Sequence, residues 1–468
     1  MKDEITSFFS KKLRHTFDSN TWESLFLFYV DKKVFPKQQI TNFIESEFAS
    51  IEKTPILYYQ QLKKLCSLLI FTRGFPYSYD DLFEGLVKRI LEKKFPPSFQ
   101  PIYALQSLIS YHYYLQADKF DPVLHNSGMS YFNIEGGMSD LLMPNIKHNY
   151  ELIIFWVILG VLKNDQNLLE KSQKLFQWQK RCLDKSGNPI KSIWSSPYNL
   201  QDDSALLLHQ LVSGHIHEID QLSFSYFPYF EIAISLWFLE VRSNFSKGDL
   251  FNQSFNLEED PASVFIDQNG LKGLMTLRGV NSGFGYMEKD DFAIVSFGPE
   301  LLPTKEKRGY GIYRACPLKR NGFDNIIKSD SYIRGWAPLS CFDQNSGSTA
   351  YPSDVYIEFE GKFDLNKFVL NFNFYNLGKS QTIGFSFFTK ASSCEVVDVD
   401  FLKSSDSQKI CSKSNKIFFY SSCQKILFQT KNFTNLIVSP KNKYWNENFH
   451  LTYFIKGDNP TLNVEIVL

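Results

Sequence analysis

An imidazole, two ammonium groups, an amide and phenols are grouped in two stretches of the chain, Asn145-Ile-Lys147-His148-Asn-Tyr150 and Lys191 to Tyr198. The first opens a run, Glu151 to Leu162, that is apolar almost all round, so it reads as a helix buried on every side. A histidine in the first turn of such a helix meets the positive end of the macrodipole. That disfavours imidazolium and keeps the ring neutral, which suits a ligand-facing His148.

The elements that must position these groups follow in order. Gln166 to Cys182 reads as an amphipathic helix with Leu168, Leu169, Leu175, Phe176 and Trp178 on one side, and Leu183-Asp-Lys-Ser-Gly187-Asn-Pro189 breaks it. Ser196-Pro197 then has the form of an N-cap followed by proline at the first helical position, starting a helix that carries Leu206, Leu207, Leu208 and Leu211. If helices alternate between a buried inner layer and an amphipathic outer one, the first and third of these point the same way. Their N-termini then share one rim, and His148 and Tyr198 face one mouth.

This order of features resembles the alginate lyases of the α/α-toroid type, relatives of the chondroitin AC and heparinase II/III lyases. The matching features are a polar-His-x-Tyr head on an apolar helix, an amphipathic helix, an Asp-x-x-Gly-x-Pro turn, a basic residue, and a tyrosine seven positions later. The resemblance covers roughly residues 145 to 210. It implies β-elimination on a uronic-acid polysaccharide, with His148 and Tyr198 as the catalytic His and Tyr, Lys191 in the place of an Arg, and Asn145 most nearly the Asn. Lys147 rather than Asn directly precedes the histidine, and lysine lacks arginine's bidentate fork.

β-Elimination removes a weakly acidic proton beside a carboxylate, so a site must neutralise that carboxylate and supply a base and an acid. In this reading Asn145 donates to the carboxylate and Lys191 adds charge. Tyr198 serves as base or acid beside a neutral His148. Lys147 and Lys191 are the cations that could lower a phenol's pKa. Lys147, Tyr150 and Trp194 complete the set as substrate-binding candidates, Trp194 as a ring that could stack on a sugar.

Each residue also has a plainer reading. Asn145 can be the N-cap of its helix, Tyr198 a packing residue, Lys191 a solvated charge and Trp194 a packed loop anchor. His112, near the end of its helix, belongs on the opposite rim and reads as structural. His215-Ile-His217 has metal-ligand spacing without a carboxylate partner, and no metal or cofactor is expected. Asp202-Asp203 supports a hydrolase of the α/α-toroid type as a third reading, although adjacent helical residues point apart. The β-half has a single histidine, His450, so the histidine-rich motif of the heparinase II/III β-domain is missing.

The 468 residues exceed what one core usually holds. Basic and acidic residues balance at 50 each, which gives no field for nucleic acid. The seven cysteines are scattered without a C-x-x-C, arguing against a zinc ribbon or dense disulfide framework and for a reducing compartment. The N-terminus carries charges where a signal peptide needs an apolar run, and no stretch is long and apolar enough to span a membrane. The expected location is therefore cytoplasmic, or outside by a leaderless route. The oligomeric state is open.

Pro- and Gly-marked breaks punctuate helical runs from Trp22 to Val241, including Ile40 to Ile51, Ile56 to Phe71, Asp80 to Lys93 and Pro101 to Leu115. The long Asp118 to Pro144 connection reads as a rim loop or an extra helix. From Val264 the period changes to two, as in Phe368-Val-Leu-Asn-Phe-Asn-Phe-Tyr375. The expected fold is a multidomain α and β protein: an N-terminal α/α toroid over residues 1–248, an incomplete barrel of helical hairpins, then a C-terminal antiparallel β-sandwich over 249–468. Its expected partner is an acidic polysaccharide or oligosaccharide. The leading functional reading is a polysaccharide lyase-like protein, and the competing one is a non-catalytic carbohydrate-binding or protein-interaction descendant of that fold.

Overall fold

The computed structural model describes residues 2–13, 21–31, 37–53, 59–73, 79–92, 100–114, 139–140, 143–144, 146–190, 203–214, 222, 224, 227–242, 251, 263–268, 270–280, 283–301, 314–315, 324–342, 350–364, 366–379, 382–422, 424–440, 448–458 and 460–468. The chain divides into two compact units. Met1–Leu141, Asn145–Lys180 and Gln201–Leu257 form one, and Leu142–Pro144, Arg181–Leu200 and Glu258–Leu468 the other.

The first unit is helical, with ten helices among the described residues: α1 (Lys2–Leu13), α2 (Trp22–Val30), α3 (Lys37–Glu52), α4 (Tyr59–Phe71), α5 (Asp80–Glu92), α6 (Gln100–Tyr114), α7 (Ile146–Lys163), α8 (Gln166–Lys180), α9 (Ser204–Ser213) and α10 (Tyr229–Arg242). The apolar run at Glu151 to Leu162 forms most of α7 and is fully enclosed, with every residue from Leu152 to Leu159 at 2% exposure or less. Such a helix is stable only inside other helices, and α6, α8, α9 and α10 pack around it. Asn164, at φ 55°, reverses the chain after α7. Asp165 then caps α8, its Oδ1 accepting from the backbone N–H groups of Asn167 and Leu168 at 3.0 and 3.3 Å. Gly160 lets the two helices close up, because a Cβ there would lie 2.9 Å from the Leu169 side chain. Gly214 at φ 79° terminates α9 beside Arg242 of α10, with its N–H on the Gln210 and Leu211 carbonyls. The helix that carries Leu206 to Leu211 spans Ser204–Ser213 with Asp203 at its N-cap position, and Ser196, the expected N-cap, lies outside the described residues. So does most of the connection between residues 115 and 145.

The second unit is built on two antiparallel sheets. In the larger, the strand order is Asp400–Lys403, Ser393–Val396, Lys416–Tyr420, Lys425–Lys431, Thr461–Val467, Lys367–Tyr375, Ala350–Asp364, Tyr332–Phe342 and Arg314–Ala315, with Asp324–Ser329 also paired to Tyr332–Phe342. In the smaller it is Ile410–Ser412, Asn435–Pro440, Phe449–Lys456, Thr382–Lys390, Phe292–Leu301, Gly283–Lys289, Leu271–Val280 and Ser263–Gln268. The alternating pattern of Lys367–Tyr375 puts Phe368, Leu370, Phe372 and Phe374 on one buried face. That face meets its counterpart from the smaller sheet in one core, where Phe372 lies 4.1 Å from Phe385 and Phe284 stacks on Phe359 at 5.1 Å. The abundant phenylalanines are thus largely core, as their spacing suggests.

Among the described residues no helix is long and apolar enough to cross a membrane. Among the described residues Cys66, Cys182, Cys394 and Cys411 are in no disulfide, three of them buried and Cys411 exposed.

Candidate functional site

The N-terminal ends of α2, α4, α7 and α10 meet at one end of the helical unit. Trp22 stacks on Tyr229 with ring centres 4.1 Å apart and planes 11° from parallel. Gln60 donates to the Tyr229 hydroxyl at 3.0 Å, and Tyr59 donates to Glu151 at 2.7 Å. Lys147 pairs with Glu231 at 2.6 Å. The C-terminal ends gather at the opposite end. There Arg73 beyond α4 reaches Glu240 of α10 at 2.7 Å and His112 of α6 at 2.9 Å, and Tyr111 donates to the Leu162 carbonyl at 2.8 Å. α4, α6, α7 and α10 therefore run in one direction, and four helix N-termini share a rim. The positive ends of their dipoles make that end favourable to anions.

Glu151 is the centre of the cluster. Its side chain is fully buried, with Oε1 2.6 Å from Lys63 Nζ, Oε2 2.7 Å from the Tyr59 hydroxyl and 3.9 Å from His148 Nε2. Burial opposes its ionisation, but Lys63, His148 and Lys147 outweigh burial and hold the carboxyl down at about 2. Lys63 also lies over two rings, 4.7 Å from the centre of Tyr59 and 4.6 Å from that of Phe230. His148 is 18% exposed and meets Tyr59 edge to face at 5.6 Å. A fixed anion, a phenol and an imidazole thus adjoin at the rim, the kinds of group that proton transfer requires.

Of the residues singled out from the sequence, His148 and Lys147 stand in this cluster. Tyr150 does not: it is fully buried, and its hydroxyl shares a 2.8 Å hydrogen bond with His209 Nδ1 of α9. Two residues on from His148, about 200° around the helix, it turns into the core, so it acts there as a buried hydrogen-bonding ring. Asn145, Lys191, Trp194 and Tyr198 lie outside the described residues, as do His215 and His217. Glu151, Lys63, Tyr59, Glu231 and Tyr229 were not singled out from the sequence. A glutamate inside an otherwise apolar helical run was the available signal for Glu151, because a buried carboxylate requires a cation.

The Asp-x-x-Gly-x-Pro turn forms in the second unit as read. The Asp184 and Asn188 backbones pair at 2.7 Å, Asp184 Oδ1 accepts from the Asn188 N–H at 2.8 Å, and Gly187 takes φ 79°. Glu288 holds the turn by accepting from the Lys185 N–H at 3.1 Å and from the Tyr286 hydroxyl at 2.5 Å, and Lys272 donates to the Asp184 carbonyl at 3.3 Å. Burial, with Glu288 nearby, raises the Asp184 carboxyl above the usual carboxylate range. Burial and the Glu288 bond likewise push the Tyr286 phenol up.

The two other described histidines that stand out are held by their surroundings. Burial, then Arg73, lowers His112 to about 4, and burial lowers His450 to about 4. His450 stacks on Phe388 at 4.3 Å and shares a 2.8 Å hydrogen bond with Ser386. Among the described residues no group of three or more His, Cys, Asp or Glu side chains could hold a metal ion.

No protein-family model matches the chain, and no curated protein does. Among solved structures, a crystal structure of heparinase III is similar to it with TM-score 0.47 and 10% identity, covering 95% of this chain and 75% of that one. The chondroitin AC lyase of Streptomyces coelicolor A3, solved in complex with chondroitin sulphate, is similar with TM-score 0.46 and 7% identity, covering 99% of this chain and 74% of that one. At these scores and identities the likeness transfers no residue role to this chain.

Proposed function

We propose that this protein is polysaccharide lyase-like and binds a uronic-acid-containing glycan at the rim where α2, α4, α7 and α10 begin. The proposed frame is an α/α toroid over residues 1–248 and a β-sandwich over 249–468. The observation that carries the reading is the meeting of His148 with Tyr59, Lys63 and Glu151 at a shared helix-N-terminal rim. In the catalytic form of the proposal, His148 is the base and Tyr198 the acid or second base. Asn145 and Lys191 hold the substrate carboxylate, and Trp194 and Lys147 flank the chain.

One observation favours binding without cleavage. Lys63 and Lys147 are already matched by the buried carboxylates of Glu151 and Glu231, at 2.6 Å each. With both ammonium groups engaged, the described rim offers a substrate carboxylate the positive ends of helix dipoles rather than a free cation, which favours binding an anion but supplies less charge than elimination needs as the α-proton leaves. Incubation with alginate, hyaluronan, chondroitin and heparin separates the two. Ultraviolet absorbance from an unsaturated product, lost in His148→Ala, supports elimination. Binding without absorbance supports the non-catalytic form, and neither signal with any of the four rejects the proposal.

A further inference from the structure

The outward face of the larger sheet differs in chemistry from a solvated surface. Residues alternate along each strand, so inward Ile357, Phe359, Phe372 and Phe374 leave Tyr356, Glu358, Asn373 and Tyr375 facing outward. In register across the sheet, Trp336 stands opposite Glu358, Glu358 opposite Asn373, and Asn373 opposite Thr461. The next row runs Arg334, Glu360, Asn371, Asn463. Tyr356 and Tyr375 form a pair beside them, and the Trp336 ring lies 5.8 Å from that of Tyr356.

These side chains hold one another in place. Glu358 Oε1 accepts from Arg334 Nε and Nη2 at 2.8 and 2.6 Å, while Oε2 accepts from Asn373 at 2.9 Å and the Tyr375 hydroxyl at 2.8 Å. An amide chain runs beside it: Asn432 donates to Asn463 at 2.8 Å, Asn463 to Asn371 at 2.8 Å, and Asn371 to Glu360 at 3.4 Å. Tyr375 is fixed at its hydroxyl, yet 49% of the residue is open to water. A ring anchored at one end with an open face, beside pre-ordered amides and carboxylates, binds with little loss of side-chain entropy.

We infer that this face, along Trp336, Tyr356, Glu358, Asn371, Asn373 and Tyr375, is a binding platform for an uncharged oligosaccharide. Sugar rings present an apolar C–H face to an aromatic ring and pairs of neighbouring hydroxyls to amides and carboxylates, and the platform offers both. Strands about 4.8 Å apart and outward residues about 6.8 Å apart give it a flat, regular lattice suited to an extended chain. Charge selects against an acidic glycan: Arg334, Lys362 and Lys367 are set against Glu358, Glu360, Asp364 and Glu465. No positive surplus is left to hold a polyanion. The platform and the helical rim are therefore separate proposals with ligands of different charge.

The test is native affinity electrophoresis of the full chain in gels containing soluble xylan, mixed-linkage β-glucan, galactomannan or, as the charged control, alginate. At least one uncharged polysaccharide is expected to retard the protein. Trp336→Ala and Tyr375→Ala are each expected to weaken that retardation about tenfold, the loss of one ring contact. Tyr375→Phe, which keeps the ring, should retain more of it. Tyr375 is exposed, so its variants report even if Trp336→Ala fails to fold. Retardation by none of the uncharged polymers, by alginate alone, or equally in wild type and both ring variants would overturn the inference. Because the rim is tested with acidic chains and the platform with uncharged ones, either can fail while the other stands.

Discussion

Replacing Lys63 by methionine leaves Glu151 fully buried without its closest cation. In the native protein the Glu151 carboxyl sits at about 2 against an ordinary 4.5. At about 1.4 kcal/mol per pH unit, that gap contributes about 3 kcal/mol to folding stability at neutral pH. Because the folded value is the depressed one, the contribution is complete above pH 4.5 and is lost as pH falls toward about 2. In Lys63→Met burial is no longer outweighed by its nearest cation, so the carboxyl moves up and the variant loses about 3 to 5 kcal/mol near pH 7. Urea unfolding followed by far-ultraviolet circular dichroism, from about pH 7 to pH 3, measures both proteins. The stability gap between them should narrow as pH falls. His112 and His450 titrate in both, so their effects cancel in the difference. The double variant Lys63→Met/Glu151→Gln should recover most of the loss, because no charge is then left buried at position 151. A penalty below about 1 kcal/mol, or a gap constant across the range, would refute the reasoning.

Tyr150→Phe removes the bond to His209 within the core and should cost about 1 to 3 kcal/mol in the same unfolding assay, leaving glycan binding unchanged. Gly285→Ala places a methyl 2.3 Å from the Leu274 carbonyl oxygen and 2.8 Å from the Phe297 ring. Since backbone bounds the space, it should lower the melting temperature sharply or prevent soluble expression, whereas a Gly85→Ala control, with nothing within 4 Å, should not. His112 is held at about 4 against 6.5, so stability should fall as pH drops from about 6.5 to 4, by up to about 3 kcal/mol. A His112→Gln variant should lack that part of the pH dependence.

The fold was legible where a pattern had one explanation. The apolar run of α7 admitted only an enclosed helix, and the change to alternating Phe, Leu and Val positions after residue 263 marked the sheets. The turn at Asp184 followed from residues that favour left-handed and side-chain-bonded conformations. The site was legible only in its helix-borne part. His148 and Lys147 were visible because a polar head on an apolar helix is unusual, but their partners come from α4 and α10, far away in sequence. Neither Lys63 nor Glu231 carries a local signature, since each reads as a surface charge until the helices are assembled. Tyr150 shows the limit in the other direction: a phenol beside a candidate site faces wherever the helical step points it, and here that is His209. The Glu358 platform was hidden because outward residues of an alternating strand read as solvated until the register aligns Trp336, Glu358 and Asn373.

Calorimetric titration of wild type and His148→Ala with oligosaccharides of alginate, hyaluronan, chondroitin and heparin tests the central claim most directly. The rim account expects one of these acidic chains to bind the wild type and to bind the variant at least about tenfold more weakly, the loss of roughly one good polar contact. Equal affinity in both proteins, or no binding of any acidic chain, would contradict it.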